Sequence, residues 1–122
     1  MGRMGLSVKD VPAILPVNFA LVGEQIVVRT VTGTKLSAAT AQKVVAFEAD
    51  GYDPSGAWGW SVIVQGIARE ITDPSDLARA RALPLRAWAF ADGVADRLVC
   101  IDVGVVSGRS FGHPPALSTP RA

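Results

Sequence analysis

What most constrains this chain is a succession of short β-branched and apolar runs, each closed off by residues that turn the backbone. Gly5–Val8 (GLSV) and Ala13–Leu21 (AILPVNFAL) flank Lys9-Asp10, and Ile26–Val31 (IVVRTV) follows the tight turn Gly23-Glu24. Val, Ile and Thr suit the pleated, half-buried surface of a sheet, so these three runs read as an antiparallel meander. Pro16 cannot donate a ladder hydrogen bond, which places it at an edge, at a bulge, or facing something other than a strand. Val44–Asp50 (VVAFEAD) is a fourth strand, with Val45, Phe47 and Ala49 on one face and Ala46, Glu48 and Asp50 on the other. Trp58–Ala68 (WGWSVIVQGIA) is a long fifth strand in which Gly59 and Gly66 signal bends or close backbone approach. Arg97–Val106 (RLVCIDVGVV) is the sixth.

Helices are few. Thr34–Thr40 (TKLSAAT) leaves room for two turns at most. Thr72-Asp73-Pro74-Ser75-Asp76 is the clearest helix start, because Thr72 or Asp73 can cap, Pro74 suits the first turn, and early carboxylates favour the dipole. That helix should run to about Ala82 and stop before Pro84. Six short strands with two inserted helices point to an all-β barrel. The expected organisation is one domain over 1–111 and a disordered tail over 112–122, where three prolines leave little to bury.

Composition then limits the function. At 49% hydrophobic and 19% charged, a 122-residue chain carries more apolar material than one small domain can hide. An exposed apolar face follows, and such faces meet partners. The richest stretch, Val11 to Val22, carries Pro12, Pro16 and Asn18 and is too short to cross a bilayer, so no membrane role is expected. Met1 to Asp10 lacks the pattern of a signal peptide. Lone Cys100 excludes an intrachain disulfide, and together these features fit the cytoplasm. A formal net charge of +1 with no basic block argues against nucleic acid.

The available side chains exclude several chemistries. His113 is the only histidine and lies in the proline-rich tail, so histidine-based triads and a His/Cys zinc site are not expected, and no metal is. Cys100 sits between strand neighbours and reads as an inert core thiol. Glu48 and Asp50 share a strand face as paired acids might, but alternation alone produces such faces. One segment stands out: in Arg29-Thr30-Val31-Thr32-Gly33-Thr34-Lys35 a strand delivers a cation and a hydroxyl, a glycine turns the chain, and a helix opens with Thr34 and Lys35. A helix N-terminus with an arginine and a lysine beside it favours an anion. Strand ends with merely solvated charges look the same, and the residues alone favour that plainer reading. Trp58, Trp60, Trp88 and Phe90 are aromatics without one obvious core role, with Trp58 and Trp60 expected on one strand face. Core or interface packing is the commoner job for tryptophan, and the wall of an aromatic ligand is the alternative that the sequence leaves open.

Taken together, PAILPVNFAL, IVVRTVTGTKL, VAFEADGYDP, GWSVIVQGIAREITDP and ALPLRAW resemble the pyridoxamine 5′-phosphate oxidase-like family, and more closely its small actinobacterial flavin-nucleotide-binding branch. The resemblance runs from about Gly5 to Phe111 and changes the weight given to the Arg29 segment. It implies a mainly β, six-stranded antiparallel split β-barrel with two short helices, a homodimer, and FMN bound at the subunit interface. By position it implies that Arg29, Thr30, Thr34 and Lys35 hold the phosphate. Pro16, Val17 and Asn18 would run along the isoalloxazine edge, and Trp60, Arg86 and Trp88 of the other subunit would complete the pocket. Arg69, far in sequence from Arg29, is expected to be remote from this site. The chain departs from the family in two respects: Met1 precedes Gly5 with no N-terminal helix between, and the residues that bind pyridoxamine phosphate have no match. The implied function is an FMN-dependent oxidoreductase of unknown substrate, the alternatives being a deazaflavin-dependent reductase or a flavin carrier or sensor without turnover.

Overall fold

The computed structural model describes residues 1–31, 43–85 and 96–113. Six strands close a barrel: β1 (Gly2–Val8), β2 (Val11–Val22), β3 (Gln25–Val31), β4 (Lys43–Tyr52), β5 (Gly59–Glu70) and β6 (Asp96–Phe111), with one described helix, α1 (Pro74–Arg81). The order around the barrel is β1-β2-β3-β6-β5-β4, all neighbours antiparallel. The first three strands form the expected meander. Lys9 and Asp10 turn the first hairpin with φ of 51° and 65°, the left-handed pair that matches strand twist in a two-residue loop. The helix expected over Thr34–Thr40 lies outside the described residues, as does the tail from 114 onward.

Alternation builds the core. Met4 and Leu6, Ile26 and Val28, Val45 and Phe47, and Val99 and Ile101 point inward and are buried. Phe19 meets Phe47 edge to face at 4.8 Å. Two strands depart from alternation because they are covered on both faces, and such strands read as unbroken apolar runs. In β3 the run Ile26-Val27-Val28 is buried throughout, and in β6 so is Leu98-Val99-Cys100-Ile101. Their outward members, Val27, Leu98 and Cys100, pack beneath α1 against Ile71, Ala80 and Leu85. Asp73 caps this helix, its carboxylate accepting the Asp76 N–H at 3.1 Å and the Ser75 hydroxyl at 2.6 Å. Those bonds hold the Asp73 carboxyl below its usual pKa, the Ser75 hydroxyl contributing most.

The strands extend further than their sequence suggests. β6 runs to Phe111, and its distal half pairs with β5 alone, since β3 pairs only with Asp96 to Asp102. β4 likewise runs past β1, which meets it only from Ala46 to Glu48. The ends of β4, β5 and β6 therefore form a three-stranded tongue beyond the barrel. Where tongue and barrel join, Gly104 is an extra residue in β6, with Gly66 opposite Val103 and Gln65 opposite Val105. A Cβ on Gly66 would lie 2.0 Å from the Asp102 carbonyl oxygen, so only glycine allows this approach. Trp58 lies ahead of β5 rather than within it, its carbonyl accepting the Asp53 N–H at 2.9 Å to close the loop.

Candidate functional site

The barrel wall splits between β2 and β3. These strands pair from Val22 and Gln25 as far as Asn18 and Arg29, where their ladder ends. Beyond that point, among the described residues, β2 pairs only with β1, with Pro16 opposite Arg3, while β3 continues against β6 to Val31 and Asp96. Pro16 thus sits where no β3 residue asks it for a hydrogen bond, which is the tolerance its missing N–H requires. Pro16 and Asn18 share the outer face. Val17 points into the core with 2% of its surface exposed, so only its backbone can meet a ligand.

Across the fork stands Arg29, half-buried and opposite Asn18. Its guanidinium donates to the Leu85 carbonyl at 2.8 Å, which ties the cation to the segment following α1. Thr30 pairs with Arg97 in β6. Thr34, Lys35, Arg86 and Trp88 lie outside the described residues. Trp60 is elsewhere: it pairs with Ser110, whereas Arg29 pairs with Leu98. Twelve positions along β6 separate the two rows, roughly 40 Å of strand at about 3.3 Å per residue. A ligand on Arg29 does not meet Trp60 of the same chain.

Two arginines that sequence reasoning passed over flank the fork. Arg97 donates to Glu70 at 2.7 and 3.1 Å, and its buried Nε has no acceptor among the described residues. A buried donor without a partner is costly and calls for an acceptor. Arg3, in register with Pro16, bridges Glu48 at 2.9 Å and Asp50 at 3.4 Å. The paired acids of β4 are therefore held by a cation on β1 rather than poised for catalysis. Burial first, and then Asp50, push the Glu48 carboxyl above its usual pKa, while Arg3 pulls the other way. The signal for both arginines was strand pairing, which the sequence does not spell out.

Arg69 corrects the sequence reading. It pairs with Cys100 in β6 and reaches Asp102 at 3.5 Å, only two strands across and two positions along from Arg29. Distance in sequence is no guide where β6 brings β3 and β5 together. Cys100 is buried beneath α1, and that burial pushes its thiol pKa up. A thiol so held stays protonated and unreactive. Among the described residues no group of three or more His, Cys, Asp or Glu could hold a metal ion.

The family profile described as pyridoxamine 5′-phosphate oxidase matches residues 1–110. The chain belongs to that family. Within the pyridoxamine 5′-phosphate oxidase family, an uncharacterised protein of Mycobacterium tuberculosis is 38% identical over 112 residues, covering 88% of this chain and 72% of that one. Among solved structures, the FAD-binding protein from Mycobacterium smegmatis is 36% identical with a TM-score of 0.72, covering 90% of this chain and 85% of that one. A FAD-binding protein from Mesorhizobium loti has a TM-score of 0.70 at 21% identity, covering 91% and 86%, and attests the fold alone. The split-barrel architecture of the pyridoxamine 5′-phosphate oxidase family is thus shared across these chains.

Proposed function

We propose that this chain binds a flavin nucleotide, FMN, at the fork between β2 and β3, and that two copies assemble so that each completes the other's site. The observation that carries the reading is Arg29, fixed by the Leu85 carbonyl at the mouth of a split in the barrel wall. The residues present fit a phosphate-bearing group. Arg29 is a bidentate-capable donor on the same outer face as Pro16 and Asn18. Thr30, Thr34 and Lys35 are the further phosphate contacts in this reading, and Pro16 to Asn18 border the ring. A bound flavin supplies hydride chemistry, and the protein supplies grip and orientation. We read the activity as an FMN-dependent oxidoreductase. The FAD-binding relative from Mycobacterium smegmatis favours a second reading, in which the nucleotide is FAD and the fork holds its pyrophosphate.

Assembly into a homodimer follows from the tongue. On one face of the tongue Trp60 is 40% exposed and Val106 57%, and among the described residues the distal half of β6 pairs on one side only. An apolar face with an open strand edge invites a second copy. Trp60, remote from its own Arg29, is then available to the partner's site, together with Arg86 and Trp88. Among the described residues no helix is long and apolar enough to cross a membrane.

Titration of apoprotein with FMN, FAD and riboflavin, followed by flavin fluorescence, tests the cofactor. The expected result is saturable binding with FMN or FAD well ahead of riboflavin. No binding of any of the three overturns the reading. Sedimentation at micromolar concentration should show a dimer, and a monomer refutes the assembly.

A further inference from the structure

The outer face of the tongue carries two adjacent cross-strand rows that the fork does not use. Tyr52, Gly59 and Phe111 form the first, in direct register across β4, β5 and β6. Asp50, Ser61 and Arg109 form the second. Together they line a shallow cleft of about 450 Å³. Its aromatic walls are conspicuously uncovered, Tyr52 at 70% and Phe111 at 59% exposure. The Phe111 ring leans over Gly59, where a Cβ would lie 2.5 Å from its Cε1, so the glycine makes room for the ring. The row between those two, Gly51, Trp60 and Ser110, also contributes to the lining, and the Trp60 indole lies against Gly51.

The polar row has a definite chemistry. Among the described residues no hydrogen bond or ion pair engages the Arg109 guanidinium, while Asp50 is steadied by Arg3 at 3.4 Å. Arg109 only donates and ionised Asp50 only accepts. They flank Ser61 with roughly 10 Å between their backbones, two strand spacings, a width that admits one flat ring. Arg3, Glu48, Asp50 and Arg109 sum to zero formal charge, so the complement is a neutral ring rather than an ion. We propose that this cleft binds a planar heterocycle with an imide edge, its carbonyl accepting from Arg109, its N–H donating to Asp50, and its faces against Tyr52 and Phe111. Uracil and thymine carry that edge, and so does the pyrimidine ring of a flavin.

The test is NMR titration of the full-length protein with uracil, with 1,3-dimethyluracil, which lacks the N–H, and with riboflavin. Uracil binding, at roughly millimolar affinity for so small a ligand, should shift the amides of residues 50–52, 59–61 and 109–111 saturably. Dimethyluracil should bind about tenfold more weakly or worse, as should uracil to Arg109→Ala, while Lys9→Gln leaves binding unchanged. Saturation of the same amides by riboflavin rather than uracil supports the site and assigns its ligand to the larger ring. Shifts from neither compound overturn the proposal. So does equal binding of dimethyluracil, or an Arg109→Ala protein with an unchanged fold and unchanged affinity.

Discussion

Replacing Arg29 by alanine should separate two roles that the structure joins in one side chain. Arg29 donates to the Leu85 carbonyl at 2.8 Å from a half-buried position, and a hydrogen bond to a charged group contributes about 1.5–3 kcal/mol. For 122 residues at about 2.1 cal/mol/K each, the unfolding entropy is roughly 0.26 kcal/mol/K, so the lost bond lowers the melting temperature of the flavin-free protein by about 6–12 °C. The second role is phosphate binding. Losing a charge-assisted bond of the same size weakens FMN about ten- to a hundredfold. Riboflavin has the ring without the phosphate, and its affinity should change far less. Thermal melts without flavin and fluorescence titrations with both ligands read the two effects independently. Arg69 is too near the fork to serve as a remote comparison, so Lys9→Gln, in the turn between β1 and β2, is the suitable one. Equal losses for FMN and riboflavin would refute the phosphate assignment. An unchanged melting temperature would refute the Leu85 tie.

Three further substitutions test the frame around the site. Gly66→Ala places a Cβ 2.0 Å from the Asp102 carbonyl oxygen, so the melting temperature should fall by at least about 10 °C or folding should fail. Gly5→Ala, whose Cβ meets Ala46 Cβ at 3.6 Å, should by comparison stay close to the parent, and similar losses in both would show that the bulge is not the constraint. Glu48→Gln removes a carboxyl whose pKa burial and Asp50 raise. Its folded pKa exceeds its unfolded one, so its contribution is complete below the ordinary carboxylate value and is lost as pH rises through the raised one. The variant should therefore melt higher than the parent at neutral pH, with the gap closing as pH falls; a gap independent of pH contradicts this.

Strand identity was legible because β-branched runs and turn residues are local signals. That the runs Ile26-Val27-Val28 and Leu98-Val99-Cys100-Ile101 are buried on both faces emerged only from the structure. Pairing was not legible: closure of the barrel rests on three residue pairs between β1 and β4, and no local pattern marks them. The end of β6 beyond Val106 escaped notice because Ser107, Gly108 and Ser110 look like loop residues. They are tolerated in a strand exposed along much of its length. Of the site, Pro16, Asn18 and Arg29 were legible and do come together at the fork. Val17 turns its side chain into the core, and Trp60, expected to serve the other subunit's site, lies at the far end of its own sheet. Arg3 and Arg97 were missed because their importance depends on which strand each one faces. Thr34, Lys35, Arg86 and Trp88 lie outside the described residues.

The extra residue at Gly104 also sets the phase of everything after it. In an unbroken strand Val99, Ile101, Val103, Val105, Arg109 and Phe111 would all point the same way, into the barrel. The bulge shifts the count by one, so Val103 faces inward with Gly66 while Val105 faces outward with Gln65. Barrel and tongue are thereby decoupled as units of variation. A residue gained or lost at this joint can exchange the inner and outer faces of the tip, or leave them in place and remove only the bend. Neither change alters which side chains fill the barrel. A chain with this joint can remodel what its tip presents while its core register stays fixed.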